Sequence, residues 1–172
     1  MTGPARDRDP AGRPRNARPR DASGRPLPRG ERGEERIPDD LAVPPEEALS
    51  MAQRLLDSGR PFHAHEVLEA SWKAAPAAER ELWRGLAQIA VGLTHAQRGN
   101  ATGAAALLRR GGRRVGDYAG AAPYGIDAGG IARQAAGLAD QIDAGGPAAA
   151  AAGGASFRLT RAGAAGQAHR AG

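Results

Sequence analysis

The sequence predicts an all-α protein, a compact bundle of about five helices over residues 41–145 with a disordered tail at either end. Three observations predict this class. Between residues 41 and 145, apolar side chains recur every three to four residues, the spacing that places them on one face of a helix. Proline, glycine, asparagine and aspartate stand where such helices would begin and end. No alternating apolar and polar run of useful strand length occurs in this segment.

Proline residues set the start of the first two predicted helices. The first helix opens after Pro44 with two glutamates, because acidic side chains suit the positive end of a helix dipole. It ends near Gly59. The second helix begins at Pro61, since proline fits the first turn of a helix, and it runs to about Ala75.

The third predicted helix, from about Ala77 to Arg98, is the longest. It carries a long apolar stripe that includes Trp83. Gly85 and Gly92 lie seven residues apart on another side, where a neighbouring backbone could approach closely. A helix with packing surfaces on several sides is usually central to its bundle. Gly99 is expected to end it.

Asparagine and aspartate mark the start of the last two predicted helices. Asn100 caps the fourth helix, which runs to about Asp117, and Asp127 caps the fifth. Gly111 and Gly112 each weaken a helix by roughly 1 kcal/mol relative to alanine. The end of the fourth helix is therefore expected to fray.

Both flanking segments are expected to be disordered. Residues 1–40 are rich in proline and arginine, and their isolated apolar side chains cannot bury enough surface to offset chain entropy. Residues 146–172 form a low-complexity alanine and glycine tail, expected to be mobile, around one short candidate strand at Ser156–Arg161. The chain thus divides into a leader at 1–40, a helical domain at 41–145 and a tail at 146–172.

The formal net charge of +5 belongs to the tails and not to the helical domain. The leader has ten Arg against eight acids, the domain has eleven basic and eleven acidic residues, and the tail has three Arg and no acid. A neutral domain beside a mixed-charge leader is a poor polyanion-binding surface, so nucleic-acid binding is disfavoured. The densest basic run of the domain is interpreted as a solvated helix face. It consists of Arg109, Arg110, Arg113 and Arg114.

The composition also excludes several classes of function. The sequence contains no Cys, which rules out disulfides, thiol catalysis and cysteine-ligated zinc. No apolar run approaches the ~20 residues of a membrane span. No apolar segment follows the basic start of the chain as it would in a secretory signal. A cytoplasmic location without a membrane partner is expected.

The polar residues that stand out lie on the second and third predicted helices. His65, Glu66 and Glu69 lie beside the apolar face of the second helix, within about one turn of each other. Gln88 and His95 lie two turns apart on one side of the third helix. If these helices pack antiparallel, as their short connection indicates, the five side chains could meet across a cleft.

Two interpretations of this polar cluster stay open. Imidazole and carboxylate groups suit zinc, manganese or iron, with His65, Glu69 and His95 as candidate ligands, although no cofactor is required. However, the order His65, Glu66, Glu69 matches only the first half of the metalloprotease pattern, because Glu69 replaces its second histidine. His63 would point away from His65 on a helix. The simpler interpretation is structural, with hydrogen bonds among these groups fixing the helix register.

Three ordered blocks of the sequence, at residues 61–72, 85–104 and 123–127, resemble a known family. They are similar to the signatures of the prokaryotic family named domain of unknown function 309, over about residues 45–143. The resemblance implies a compact all-α bundle and no established activity. His63 departs from the pattern, since the family more often has glutamate there. The family's motif positions fall on His65, Glu66, Glu69, Trp72, Gln88, His95, Gly99 and Asn100.

Three classes of function are compatible with these observations. The first, which we favour, is a non-enzymatic module that binds a protein partner or self-associates through a helix face, with Trp72 and Trp83 as core anchors. The second is a metal-binding site at the polar cluster, with hydrolysis as the reaction it could support, and the third is weak nucleic-acid binding through the basic tails. The sequence favours a non-enzymatic role. It does not identify a ligand, an oligomeric state or a pathway.

Overall fold

The computed structural model describes residues 18–146, residue 148 and residues 156–161. It confirms the predicted all-α class and the five helices. A single turn of 3₁₀ helix, Ala77–Glu79, precedes the third α-helix, which therefore begins three residues later than predicted. The α-helices are α1 (Pro45–Asp57), α2 (Pro61–Ala74), α3 (Arg80–Gln97), α4 (Ala101–Gly116) and α5 (Ala128–Gly145).

Each α-helix packs mainly against its neighbours in the chain, in the order α1, α2, α3, α4 and α5. Helix α3 packs against both α2 and α4 and is the central helix, as its apolar surfaces predict. Its side chains Leu82, Trp83, Leu86 and Ile89 are at most 1% exposed. The hydrophobic core therefore runs along α3, and the sites that a partner could reach lie on the outer helices.

The helix starts at Asn100 and Asp127 have the caps that the sequence predicts. The side-chain oxygen of Asn100 accepts a hydrogen bond from the backbone N–H of Gly103 at 3.0 Å. Asp127 accepts one from the backbone N–H of Gly130, also at 3.0 Å. Each bond satisfies one of the N–H groups that a helix start leaves without a partner, which stabilises by about 1 kcal/mol.

Helices α3 and α4 pack closely at a point where both of them have glycine residues. A methyl group added at Gly111 would lie 2.7 Å from the carbonyl oxygen of Gly85. One added at Gly92 would lie 3.1 Å from Leu108 Cγ. We call this contact, formed by Gly85, Gly92, Leu108 and Gly111, the α3–α4 seam. It confirms the close approach predicted at Gly85 and Gly92.

The glycine pair in α4 does not end that helix early. Gly111 and Gly112 are buried inside α4, which continues to Gly116. Gly111 faces α3, and an added methyl at Gly112 would lie 2.9 Å from Ala135 Cβ of α5. Packing against helices on two sides therefore holds the weak pair helical, where intrinsic propensity alone predicts fraying.

Parts of both predicted tails are described, and these parts lie against the bundle. Residues 18–40 contain no helix, and Arg98 Nε donates a hydrogen bond to the carbonyl oxygen of Ser23 at 2.8 Å. Near the other end, Phe157 and Leu159 are 2% and 1% exposed. Residues 1–17 of the predicted leader lie outside the described residues, as do residues 147, 149–155 and 162–172 of the predicted tail.

The candidate strand at Ser156–Arg161 is an extended segment that makes one isolated bridge, between Thr160 and Ile126. Hydrogen bonds with side-chain amides, and not pairing in a β-sheet, hold this segment against the bundle. Gln53 donates to the carbonyl oxygen of Phe157 at 2.9 Å and accepts from the backbone N–H of Leu159 at 2.9 Å.

None of the helices among the described residues has the length and apolar character that a membrane span requires.

Candidate functional site

The polar residues His65, Glu69 and Lys73 form a row of ionisable groups along one side of α2. His65 Nε2 lies 3.5 Å from Glu69 Oε2, and Lys73 Nζ lies 3.0 Å from Glu69 Oε1. Both contacts join residues four positions apart, which are neighbours on a helix surface. Burial lowers the pKa of His65, and the nearby Glu69 carboxylate opposes that effect. The imidazole is therefore mainly neutral at neutral pH.

The polar residues of α3 have partners on the side of α4. Gln88 Oε1 accepts a hydrogen bond from Arg114 Nε at 3.0 Å, and Arg114 also pairs with Glu81. His95 Nδ1 lies 2.8 Å from Asn100 Nδ2, at the residue that caps α4. In the part of the chain that the structure describes, no hydrogen bond or ion pair joins Gln88 or His95 to α2.

The positions of His65, Glu69 and His95 determine whether these three candidate ligands could bind one metal ion. Over residues 18–146, 148 and 156–161, the structure contains no group of three or more His, Asp or Glu side chains placed to hold a metal ion. His65 and Glu69 form a pair, while His95 pairs with an amide. The arrangement supplies hydrogen bonds between neighbouring turns, and it offers two ligand atoms where a structural metal site needs about four.

The two tryptophans differ in their surroundings. Trp83 is 1% exposed, and its indole N–H donates to Glu79 Oε2 at 3.2 Å. Trp72 is only partly buried, and the guanidinium carbon of Arg84 lies 5.8 Å from its ring centroid. Trp83 is therefore part of the core, while Trp72 lies at its edge with one face against a cation.

A second polar row, on another face of α2, was not found from the sequence. It consists of Arg60, His63 and Glu66, each three residues from the next, and we call it the α2 polar row. His63 is 2% exposed. Among the described residues, the buried side-chain nitrogen or oxygen atoms without a hydrogen-bond partner are Arg60 Nε, His63 Nδ1 and Glu66 Oε2. The spacing of three was the available signal, because it places all three side chains on one face.

Burial shifts the pKa of both titratable groups in this row away from their ordinary values. It lowers the pKa of His63, with the Arg60 charge adding to the effect and Glu34 opposing it. It raises the pKa of Glu66, against the opposing charge of Arg36. In each case removal from water disfavours the charged form. Burial therefore favours the neutral forms of both His63 and Glu66.

A shallow groove lies between α4 and α5. Its volume is about 290 Å³, and we call it the α4–α5 groove. Arg109, on its rim, pairs with Asp140 at 2.7 Å and with Asp143 at 2.8 Å. Arg113 is exposed and makes no ion pair within the described part of the chain. The residues that line the groove are Arg109, Gly112, Arg113, Gly116, Ala132 and Ala136.

The chain folds as a small all-α domain. Polar groups lie on α2 and α3, and an open groove lies between α4 and α5. Residues 49–107 match the model of a family described as a domain of unknown function, DUF309, which confirms the predicted resemblance over that segment. The match includes every motif position predicted on α2, α3 and the start of α4. The third block, at residues 123–127, lies beyond the matched range. No curated protein and no solved structure matches the chain.

Proposed function

We propose that this domain is a non-enzymatic protein-binding module and that the α4–α5 groove binds an acidic amphipathic helix of a partner. The observation that carries the proposal is the groove itself, an apolar depression with arginine on its rim. Concave apolar surfaces with a few charged groups at their edge are typical of helix-in-groove recognition.

The floor of the groove suits the close approach of a helix. Gly112 and Gly116 are one turn apart on α4, and Ala132 and Ala136 are one turn apart on α5. None of these side chains extends beyond Cβ, so a partner's side chains can reach the backbone of both helices. Ala136 is exposed and Gly116 and Ala132 are half-buried, so the floor is open to solvent.

The charges around the groove favour an acidic partner. Arg109 is already neutralised by two aspartates of α5. Arg113 and Arg110 are exposed and have no acidic partner among the described residues. Complementary charges at the rim would fix the orientation of a bound helix and raise its association rate.

The same arginines argue against nucleic acid as the partner. Of the four arginines in the basic run, Arg109 pairs with Asp140 and Asp143, and Arg114 pairs with Glu81. Only two of them are left to contact phosphates. Two phosphate contacts supply little of the affinity that proteins gain by releasing counterions.

We also propose that the polar cluster predicted from the sequence is structural. Glu69, Gln88 and His95 each have a hydrogen-bond or ion-pair partner within the bundle. Two of these partners, Arg114 and Asn100, belong to α4 or its cap. The cluster then orients α4 on α3, and so sets one wall of the groove.

Two designed peptides test the groove. Both are amphipathic helices of about 18 residues with one alanine and leucine stripe; one flanks the stripe with glutamates and the other with lysines. The acidic peptide is expected to bind the full chain, and its affinity should fall with added salt because exposed charges are screened. Fluorescence anisotropy of labelled peptide measures both.

Matched variants locate the binding. Ala136→Glu fills the groove with a carboxylate and should abolish binding, while Ala106→Glu, an equally exposed alanine of α4 outside the lining, should leave it unchanged. Equal binding of the two peptides, or equal losses in the two variants, would show that the groove is not the binding surface. Loss of an existing dimer in Ala136→Glu alone would identify a second copy of the chain as the occupant instead.

A further inference from the structure

The α2 polar row is covered by four consecutive residues of the leader, residues 34–37, which we call the strap. Three of the four contact the row in order. The Glu34 carboxylate pairs with Arg60, the backbone of Glu35 lies beside the His63 side chain, and the backbone of Ile37 lies beside the Glu66 carboxylate. The Ile37 side chain is partly buried against the core.

The spacing of these contacts is that of an extended peptide lying along a helix. Successive contacts advance by three residues on α2 and by one or two residues on the strap. A helix rises about 1.5 Å per residue and an extended chain about 3.3 Å, so three helical residues match between one and two extended ones. Two of the three contacts use the strap's backbone and do not depend on its side chains.

The strap provides polar partners for only some of the buried polar atoms of the α2 polar row. Every buried polar side-chain atom without a partner in the described part of the chain belongs to this row. A buried polar atom that loses water without gaining a partner destabilises the folded state by roughly 1–3 kcal/mol. Releasing the strap would return these atoms to water, so the covered state is held less tightly than its contacts alone would indicate.

We propose that the α2 polar row is a peptide-binding site, which the strap occupies in cis and which can bind an extended acidic peptide of a partner in trans. The chemistry of the ligand follows from the strap. It has a carboxylate for Arg60, backbone polar groups for His63 and Glu66, and an aliphatic side chain at the position of Ile37. A ligand that also donates to His63 Nδ1 and Glu66 Oε2 binds more tightly than the strap.

The test uses the full chain with a weakened strap and a peptide probe. In the Glu34→Arg, Ile37→Asp variant, the strap loses its ion pair and its apolar contact while the α2 polar row is unchanged. The probe is a fluorescein-labelled peptide with the sequence of residues 31–40. Because a tethered segment competes at an effective concentration near the millimolar range, the weakened variant should bind the probe roughly tenfold or more tightly than the wild-type chain.

A charge reversal makes the test specific to the site. Adding Arg60→Glu to the weakened variant should remove binding of the probe, and a probe that carries lysine at the position of Glu34 should restore it. Arg54→Glu, at an exposed arginine of α1, is the matched control and should have no effect. Circular dichroism melts establish that every variant is folded.

Two results would overturn the proposal. One is equal binding of the probe, or none, in the wild-type and weakened chains while both are folded. The other is a wild-type dimer that the strap substitutions dissociate, which would mean that the strap crosses between copies and does not lie in cis.

Discussion

Helix α4 presents small residues on two sides: its contact with α3 is closely packed, while part of the side that faces α5 is open to solvent. On the side of α3, Gly111 meets Gly85 so closely that an added methyl group would lie 2.7 Å from a backbone oxygen. On the side of α5, Gly116 and Ala132 line an open groove. The same residue types thus form a closed seam and an exposed surface within a few residues of each other.

This difference in packing supports the proposal that the closed side serves stability and the open side binds a partner. A glycine inside a helix costs about 1 kcal/mol relative to alanine. In the α3–α4 seam, close packing of the two backbones offsets that cost. At Gly116, an added methyl group would meet only Ala132 Cβ among the described residues, at 3.2 Å, so this glycine is less closely packed than Gly111.

The largest expected effect is at the seam. Gly111→Val should lower the free energy of unfolding by about 3 kcal/mol, because its side chain would clash with backbone atoms that cannot rotate away. Urea denaturation measures the loss. Gly137→Val on α5, where an added methyl group would meet no described atom within 4 Å outside its own stretch of helix, is the control and should change the free energy of unfolding by about 0.5 kcal/mol or less, because valine is a better helix former than glycine. Equal losses would mean that the seam is not closely packed.

The next largest effect is expected at the start of α4, because the position where this helix begins determines which neighbouring helix each of its glycines faces. Asn100→Ala removes the hydrogen bond to Gly103 and should cost about 1 kcal/mol. Asn100→Asp keeps an oxygen acceptor and should cost much less. Thermal melts of the two variants distinguish a capping role from a simple loss of packing. The capping account fails if aspartate is as destabilising as alanine.

A smaller effect depends on pH and lies outside the seam, at Glu66. Burial raises its pKa above the ordinary 4.5, against Arg36 and Arg20 and with Asp39 adding to the rise. The folded chain then holds this proton more tightly than the unfolded chain, so the contribution to stability is present below pH 4.5 and is lost as pH rises through the raised pKa. His63, whose pKa is lowered from 6.5, has the opposite dependence.

Glu66→Gln isolates this contribution because glutamine keeps the shape and does not titrate. Relative to the variant, the wild-type chain should lose stability as pH rises above 4.5, as measured by urea denaturation at a series of pH values. Parallel curves for the two proteins would show that the Glu66 carboxylate is not buried under the strap.

The smallest effect is expected in the groove. Gly116→Ala adds a methyl group 3.2 Å from Ala132 Cβ, a slight crowding that the gain in helix propensity offsets. The free energy of unfolding should change by less than about 0.5 kcal/mol. A loss as large as that of Gly111→Val would mean that the groove is a closed interface.

The sequence was sufficient for the features that depend on neighbouring residues. The caps at Asn100 and Asp127, the proline at the start of α2 and the apolar faces all follow from local chemistry. The close approach at Gly85 was also predictable, because two glycines seven residues apart share a helix side.

Features that join distant parts of the chain were not predictable in this way. The burial of Phe157 depends on Gln53, which is 104 positions away and holds its carbonyl oxygen. Gln88 pairs with Arg114 of α4, whereas its position on α3 predicted that it would face the polar residues of α2. His63 was set aside because it points away from His65, and only the strap shows what it points toward.

The most direct test of the proposed function is an amide map of the groove. Two-dimensional ¹H–¹⁵N spectra of the labelled full chain are recorded during titration with the acidic helical peptide. The account predicts that shifted amides cluster at residues 109–116 and 132–136, with little change at residues 85–92 of α3. Shifts that cluster elsewhere, or none as the peptide is added to excess, would contradict it.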